Sequence, residues 1–195
     1  DTDSVIFDGT GLKDSIIDSN FSGTIASLAI NDGYTYPTGV QCRIFQERSL
    51  AITGDYSQSS GQFISPPAHS FSVGGSFSVL GPGTDPDVLP ASFFRYTGTG
   101  SPEYLALIYD IYGLQALDNS RIFAAGTRFK LNNDIDASVT VNWRQGLGFS
   151  PIGGSAGGGM TRRATIRQQL QEVRERTLRL CACVNDVGLR RQIHS

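Results

Sequence analysis

The chain has 195 residues, which suits one compact domain with an appendage and leaves too little length for two full domains. Only 17% of the residues are charged and 23 are glycine, while 11 Phe, 7 Tyr and 1 Trp supply aromatic area for a core, so general disorder is excluded. No apolar run approaches the roughly 20 residues that cross a bilayer, so no membrane partner is expected.

The formal net charge of −2 hides a division along the chain. Residues 1–160 carry 8 basic and 15 acidic side chains, whereas residues 161–195 carry 8 arginines and 3 acidic side chains. The two parts therefore have formal charges of −7 and +5. Because arginine pairs with carboxylate or phosphate through two parallel hydrogen bonds, the basic end is a candidate partner-binding segment.

A period of two dominates from residue 24 to residue 143 and predicts strands bounded by Gly, Pro, Asn or Asp. The predicted strands are Thr24–Ile30, Gly39–Phe45, Ser49–Thr53, Phe71–Leu80, Phe93–Tyr96, Tyr104–Tyr112, Arg128–Leu131 and Ala137–Trp143. Gly74 and Gly75 are expected to split one of these runs in two. Tyr104–Tyr112 is apolar on both faces apart from Asp110, so it is either a central strand or a short helix.

Eight or so strands at this spacing predict a mainly β fold, with an antiparallel β-sandwich or jelly-roll-like body over residues 1–148. Residues 149–160 break the alternation and have the composition of a flexible glycine-rich linker. Residues 161–195 then form a basic arm that is predicted to be helical. In the arm, apolar or Thr positions recur at spacings of 4, 3, 4, 3 and 4, namely Ile166, Leu170, Val173, Thr177, Leu180 and Val184.

Fewer than three heptads are not stable alone in water, so the arm is expected to bury its stripe against the body or another subunit. The predicted partner-binding residues are the apolar Ile166, Leu170, Val173 and Leu180 and the basic Arg162, Arg163, Arg167 and Arg174. Acidic bodies of a homo-oligomer or of other particle subunits are the favoured partners, and nucleic acid phosphate is the alternative. The arm lacks the interleaved aromatic residues that stack on single strands.

Gly153–Gly157 matches the pattern of a nucleophile elbow around Ser155, and Asp186 and His194 follow in hydrolase order. That fold needs several parallel strand–helix units around the elbow, and none is predicted. A Gly/Ser linker is therefore favoured. For Asp110, a hydrogen-bonded carboxylate at a strand end is favoured over a catalytic one. We predict no enzymatic activity and no catalytic residue.

Metal chemistry is also weakly indicated. Residues 132–136 and the acidic side chains Asp1, Asp3 and Asp8 offer oxygen ligands for calcium, but they fit no known loop spacing, so turn chemistry is favoured. His69 has no second histidine in the body and is expected to be a loop residue. The three cysteines are Cys42, Cys181 and Cys183. Their number and spacing fit neither a disulfide framework nor a zinc site, so no metal and no cofactor are expected.

A β body with rim loops rich in Gly and Pro, a glycine hinge and a terminal arm resembles, in general architecture, the subunits of virus and phage particles. The resemblance implies a non-enzymatic structural protein of a virion, such as a coat, cement or tail component, that assembles through its arm. The alternative is a ligand-binding β-sandwich module of the carbohydrate-binding type. Its contact residues would be exposed aromatic side chains, with candidates Tyr34, Tyr36, Tyr56 and Tyr96.

Overall fold

A computed structural model describes residues 3–35, 41–79, 91–99, 101, 103–117, 128–149 and 152. Two units are distinguished, Asp1–Ile152 and Gly153–Ser195, and all described residues belong to the first. The strands are β1 Ser4–Phe7, β2 Ser15–Ile17, β3 Thr24–Ile25, β4 Ser27–Ile30, β5 Arg43–Gln46, β6 Leu50–Ile52, β7 Tyr56–Gln58, β8 Gln62–Ile64, β9 Phe71–Val73, β10 Phe77–Val79, β11 Ser92–Phe94, β12 Ala106–Ile108 and β13 Phe129–Leu131. The helix α1 spans Ile111–Ala116, and a 3₁₀ segment spans Ser138–Gly146.

Every third strand belongs to the same sheet. One sheet contains β1, β4, β7 and β10, a second contains β2, β5, β8 and β11, and a third contains β3, β6 and β9. The chain thus visits three sheets in turn and returns to each one strand further along, in coils of roughly 20 to 30 residues, a repeat length typical of solenoids. The body is a three-sided parallel β-solenoid, and β12 and β13 form a separate parallel pair.

The predicted antiparallel β-sandwich or jelly roll is therefore wrong, although the described body is mainly β. All ladders between these strands are parallel, and within the described residues antiparallel pairing is confined to the isolated bridges Thr35–Gln41 and Thr97–Leu107. The alternation of polar and apolar residues indicates that a strand has one solvent-exposed face and one buried face. The sheets of a solenoid also have these two faces, so alternation cannot give the direction of the neighbouring strand.

The predicted strand over Ala137–Trp143 is also wrong, because most of these residues lie in the 3₁₀ segment. The segment is interrupted at its end, where Arg144 and Gln145 have positive φ angles of 53° and 60°. Trp143 is fully buried, whereas Val141 is 68% exposed. The apparent alternation in this stretch therefore does not reflect a strand with one buried face.

Aromatic side chains at equivalent positions of successive coils fill the interior. Tyr56 on β7 is in register with Phe77 on β10, and their ring centroids are 5.2 Å apart at an interplanar angle of 22°. Phe63 on β8 is in register with Phe93 on β11, and these rings stack at 5.5 Å and 3°. Phe71 makes an edge contact with Tyr56 at 5.7 Å. Parallel pairing aligns equivalent side chains, so the core is a continuous column through the coils.

Gln58 brings a polar group into this column, and its hydrogen bonds lie within the fold. Its Oε1 accepts a hydrogen bond of 2.8 Å from the Tyr56 hydroxyl. Burial raises the pKa of this hydroxyl well above its usual value. Its Nε2 donates to the carbonyl oxygens of Gly61 at 3.0 Å and Ser92 at 3.2 Å. Because buried amides are costly when unpaired, these bonds explain a glutamine that faces the core, and they tie together two successive coils.

Candidate assembly surface

One end of the solenoid is closed by α1. The hydroxyl of Tyr112 accepts a hydrogen bond of 2.9 Å from the Val73 N–H and donates one of 3.3 Å to the Val73 carbonyl. Val73 lies on β9, the last described strand of its sheet. The tyrosine therefore satisfies backbone groups that a further strand would otherwise pair. Burial is the main cause that raises the pKa of Tyr112.

The 3₁₀ segment closes the neighbouring part of this end. The Trp143 ring lies 5.2 Å from that of Phe77, which is on β10, the last described strand of the first sheet. The side-chain amide of Asn142 donates to the Gly74 carbonyl at 3.0 Å, and the Arg144 N–H donates to the Ser76 hydroxyl at 3.1 Å. Aromatic packing and polar contacts together cover the end of the aromatic column.

A buried network attaches α1 to three coils. Arg95, which is only 4% exposed, donates to Asp110 Oδ2 at 2.6 Å, to the Ser65 hydroxyl at 2.7 Å and to the His69 carbonyl at 3.2 Å. Ser65 in turn donates to Gln46 Oε1 at 2.6 Å. The other oxygen of Asp110 accepts a hydrogen bond of 2.9 Å from the N–H of Gly113, the third residue of α1, and so caps the helix. The contacts of Asp110 and of the His69 carbonyl therefore serve to hold the fold together.

Tyr112→Phe is expected to lower the free energy of unfolding by about 1–3 kcal/mol, because it leaves buried Val73 backbone groups without a partner. Urea denaturation of both proteins at pH 7 measures this difference. Because the pKa of Tyr112 is raised in the folded state, ionisation in the unfolded state destabilises the wild type above about pH 10. The deficit of the variant should therefore shrink as the pH rises through this range, and a deficit that grows would contradict the assigned contact.

The three sheets present different side chains outward. In the first sheet the outward side chains in register are Ile6, Ala29, Ser57 and Ser78. In the third sheet they are Thr24, Ala51 and Ser72. In the second sheet they are Ile16, Phe45, Ile64 and Phe94, a set that we call the apolar row. A face of a solenoid that meets water is expected to be polar, so the second sheet is the exception among the described sheets.

The two ends of the apolar row differ in their surroundings. Phe94 packs against the small cluster of Ile108 and Leu117. Ile16, at the other end, is 59% exposed, while Phe45 and Ile64 are half-buried. The open part of the row thus spans three strands, or about 10 Å at the usual spacing of about 4.8 Å between strands. Contiguous apolar surface is common where proteins contact other molecules, so the row is a candidate assembly surface.

Charged side chains border the open part of the row. Arg43 lies over the Phe45 ring, 5.3 Å from its centroid, and pairs with Asp14 at 2.6 Å. Beyond the other ends of β2 and β5 lie Asp18 and the exposed Glu47, and the Glu47 N–H is bonded to the carbonyl of Ile17 at 3.0 Å. The row therefore has an ion pair on one side and two carboxylates on the other.

Several sequence-based candidates lie elsewhere or outside the described residues. The partner-binding residues of the arm, Ser155, Cys181, Cys183 and Tyr36 are not among the described residues, so the predictions for them stand untested. Tyr34 and Tyr56 are fully buried, and the Tyr34 hydroxyl donates to the Lys13 carbonyl. They cannot be exposed contacts for a ligand. Tyr96 is half-buried, and its pKa is raised by burial.

The acidic clusters near residues 8 and 136 take part in turns. Asp8 accepts hydrogen bonds from the N–H and the hydroxyl of Thr10, and Asp136 accepts one of 2.8 Å from the Ser138 N–H, so the pKa of each carboxyl is lowered. Within the described ranges, no three His, Cys, Asp or Glu side chains gather as a metal-binding group. In the same ranges, helices are too short or too polar to cross a bilayer. Cys42 is buried, and burial raises the pKa of its thiol.

Comparison with known proteins gives one partial similarity. No family model matches the chain, and no solved structure matches it. A stretch of 59 residues is 46% identical to halomucin from Haloquadratum walsbyi. This stretch covers 29% of the chain and 1% of halomucin, so the similarity does not establish a family.

Proposed function

We propose that this protein is a non-enzymatic structural component that assembles with other protein subunits through its C-terminal arm. The observation that carries the proposal is the apolar row, an outward apolar surface on one face of a body whose two other described faces carry mainly Ser, Thr and Ala. A β-solenoid with a filled core is suited to hold such a surface rigidly, because each coil is fixed by its neighbours.

Polar groups at buried and half-buried positions of the described body also support a structural role. Gln46, Gln58, Arg95 and Asp110 make hydrogen bonds that join coils or cap a helix. Their positions are explained by the stability of the solenoid. The arm adds the second requirement of an assembly protein, since its sequence combines an apolar stripe with a formal charge of +5.

The virus or phage particle that the sequence pattern suggested stays a prediction. That resemblance depended on an antiparallel body, and the parallel sheets remove this support, so we propose assembly without naming a particle. The terms β-sandwich and jelly roll are wrong for this protein. The carbohydrate-binding alternative also assumed a β-sandwich, so it loses the same support. Two of its candidate contact residues, Tyr34 and Tyr56, are buried and not exposed. Binding of nucleic acid by the arm stays untested.

The proposal is tested by placing charges in the apolar stripe of the arm. Leu170→Asp with Val173→Asp is expected to weaken self-association about a hundredfold or more, because two apolar contacts become buried charges. Sedimentation velocity of the full chain measures the assembly, and circular dichroism checks that the β body stays folded.

Gln168→Asp with Gln171→Asp is the matched control, since it adds the same charge at positions that a helix would place away from the stripe. This control should assemble nearly as the wild type does. A wild-type chain that sediments as a monomer at all concentrations would refute the proposed function, and so would equal losses in the two double variants.

A further inference from the structure

Resting on the proposed function, we infer that the apolar row is the receptor for the arm of a neighbouring copy of this chain. The occupant must cover apolar side chains that lie in one line, one per strand, along the solenoid axis. A ligand with a single straight apolar stripe fits such a line. The chain itself contains one in the predicted helix of residues 161–195.

The apolar residues of the row and those of the arm's stripe span similar distances. Ile16, Phe45 and Ile64, on three neighbouring strands, span about 10 Å. The first three apolar residues of the stripe are Ile166, Leu170 and Val173. They would span about 10 Å in a helix, which rises 1.5 Å per residue. A helix that lies along the row would therefore place one of its apolar residues near each strand.

The charges of the two surfaces are complementary. The arm has a formal charge of +5 and residues 1–160 have one of −7. Asp18 and Glu47 border the row, and arginines such as Arg167 and Arg174 lie one residue from stripe positions in the arm. These arginines would reach carboxylates at the edge of the row while the stripe covers its centre. Such pairs guide orientation more than they add affinity.

The two carboxylates on one side of the row also argue against nucleic acid as its occupant. Phosphates would meet Asp18 and Glu47, and they would leave Ile16 uncovered. A neighbouring copy supplies both the apolar and the basic groups. Two copies that exchange arms would bury both rows in a closed two-fold arrangement, which is the commonest form of homo-oligomer.

The test compares two isoleucines of the first coil. Ile16 in the row is 59% exposed, and Ile6, on the outward face of the first sheet, is 61% exposed. Ile16→Asp is expected to weaken assembly at least tenfold, whereas Ile6→Asp should change it less than twofold. Sedimentation velocity gives the association constants, and thermal unfolding followed by circular dichroism confirms that both variants fold alike.

A mixing experiment identifies the source of the arm. Ile16→Asp retains an intact arm, and Leu170→Asp/Val173→Asp retains an intact row, so each should be monomeric alone and the mixture should form a complex. If Leu170→Asp/Val173→Asp assembles as strongly as the wild type and as the control Gln168→Asp/Gln171→Asp, the proposed function itself is refuted. If the arm variant abolishes assembly but Ile16→Asp does not, or if the mixture stays monomeric, the inference about the row is overturned while assembly through the arm stands.

Discussion

Phe63→Ala is expected to lower the free energy of unfolding by about 3–5 kcal/mol, the range for removing a buried aromatic ring. Phe63 is fully buried and stacks on Phe93 at 5.5 Å, and it makes an edge contact with Tyr56 at 5.7 Å. The ring lies between coils whose backbones are fixed by parallel ladders, so the cavity cannot readily collapse. Urea denaturation measures the loss.

Phe45→Ala is the matched control for this prediction. Phe45 lies on the neighbouring strand of the same sheet but points outward and is half-buried. Its removal should cost at most about 1 kcal/mol. Both variants are measured with Leu170→Asp and Val173→Asp present, so that assembly does not contribute to stability. Equal losses at the two positions would contradict the assignment of inward and outward faces.

Arg95→Leu is expected to cost about 3 kcal/mol, the lower part of the range for breaking a buried ion pair. The substitution leaves the Asp110 carboxylate without the guanidinium, although this side chain is 28% exposed and water compensates part of the loss. The Ser65 hydroxyl and the His69 carbonyl lose their donor as well. Because Asp110 also caps α1, the closed end of the solenoid should loosen before the central coils unfold.

Two further variants separate charge from geometry at this site. Arg95→Lys keeps the charge but cannot donate to Asp110, Ser65 and His69 in the same fixed directions, so it should recover less than half of the loss. Asp110→Asn retains a capping side chain and removes the charge. The double variant Arg95→Leu/Asp110→Asn should lose less free energy of unfolding than the two single variants lose in sum. Strict additivity would show that the ion pair does not stabilise the fold.

Local features of the body could be predicted from the sequence because they depend on neighbouring residues. Gly74 follows β9 directly and, with Gly75, separates it from β10, as the glycine pair predicts. A side chain at Gly74 would place its Cβ only 2.5 Å from the Thr53 carbonyl oxygen, so the close approach of the backbones requires glycine. The ambiguous run Tyr104–Tyr112 contains a strand and the start of a helix, since β12 ends before Asp110 and α1 begins after it. Among the described strands β12 pairs with β13 alone, so it is not the central strand that was one alternative.

The parallel pairing could not be predicted from alternation, because it depends on contacts between residues about one coil apart. Strands β1, β2, β7 and β8 were also missed, and each is three or four residues long and contains Ser or Gln. Gln58 shows the difficulty: a polar residue faces the core where its amide donates to the carbonyls of Gly61 and Ser92. Such a position becomes visible only when the coils are aligned.

The apolar row does leave a signal in the sequence, although alternation alone does not identify it. Each strand of the second sheet contains two consecutive apolar residues, namely Ile16-Ile17, Ile44-Phe45, Phe63-Ile64 and Phe93-Phe94. Because successive residues of a strand point to opposite faces, each doublet must place one apolar side chain outward. Recognising that the four outward members form one line requires the register of the sheet.

Photo-cross-linking from the apolar row tests the central claim most directly. Benzoylphenylalanine replaces Phe45 in an isotopically labelled copy, which is mixed with an unlabelled wild-type copy and irradiated. Mass spectrometry should then find cross-links from position 45 to unlabelled peptides that contain Ile166, Leu170 or Val173. Cross-links that join position 45 only to residues of the β body, or only to labelled arm peptides of the same copy, would contradict assembly through an exchanged arm.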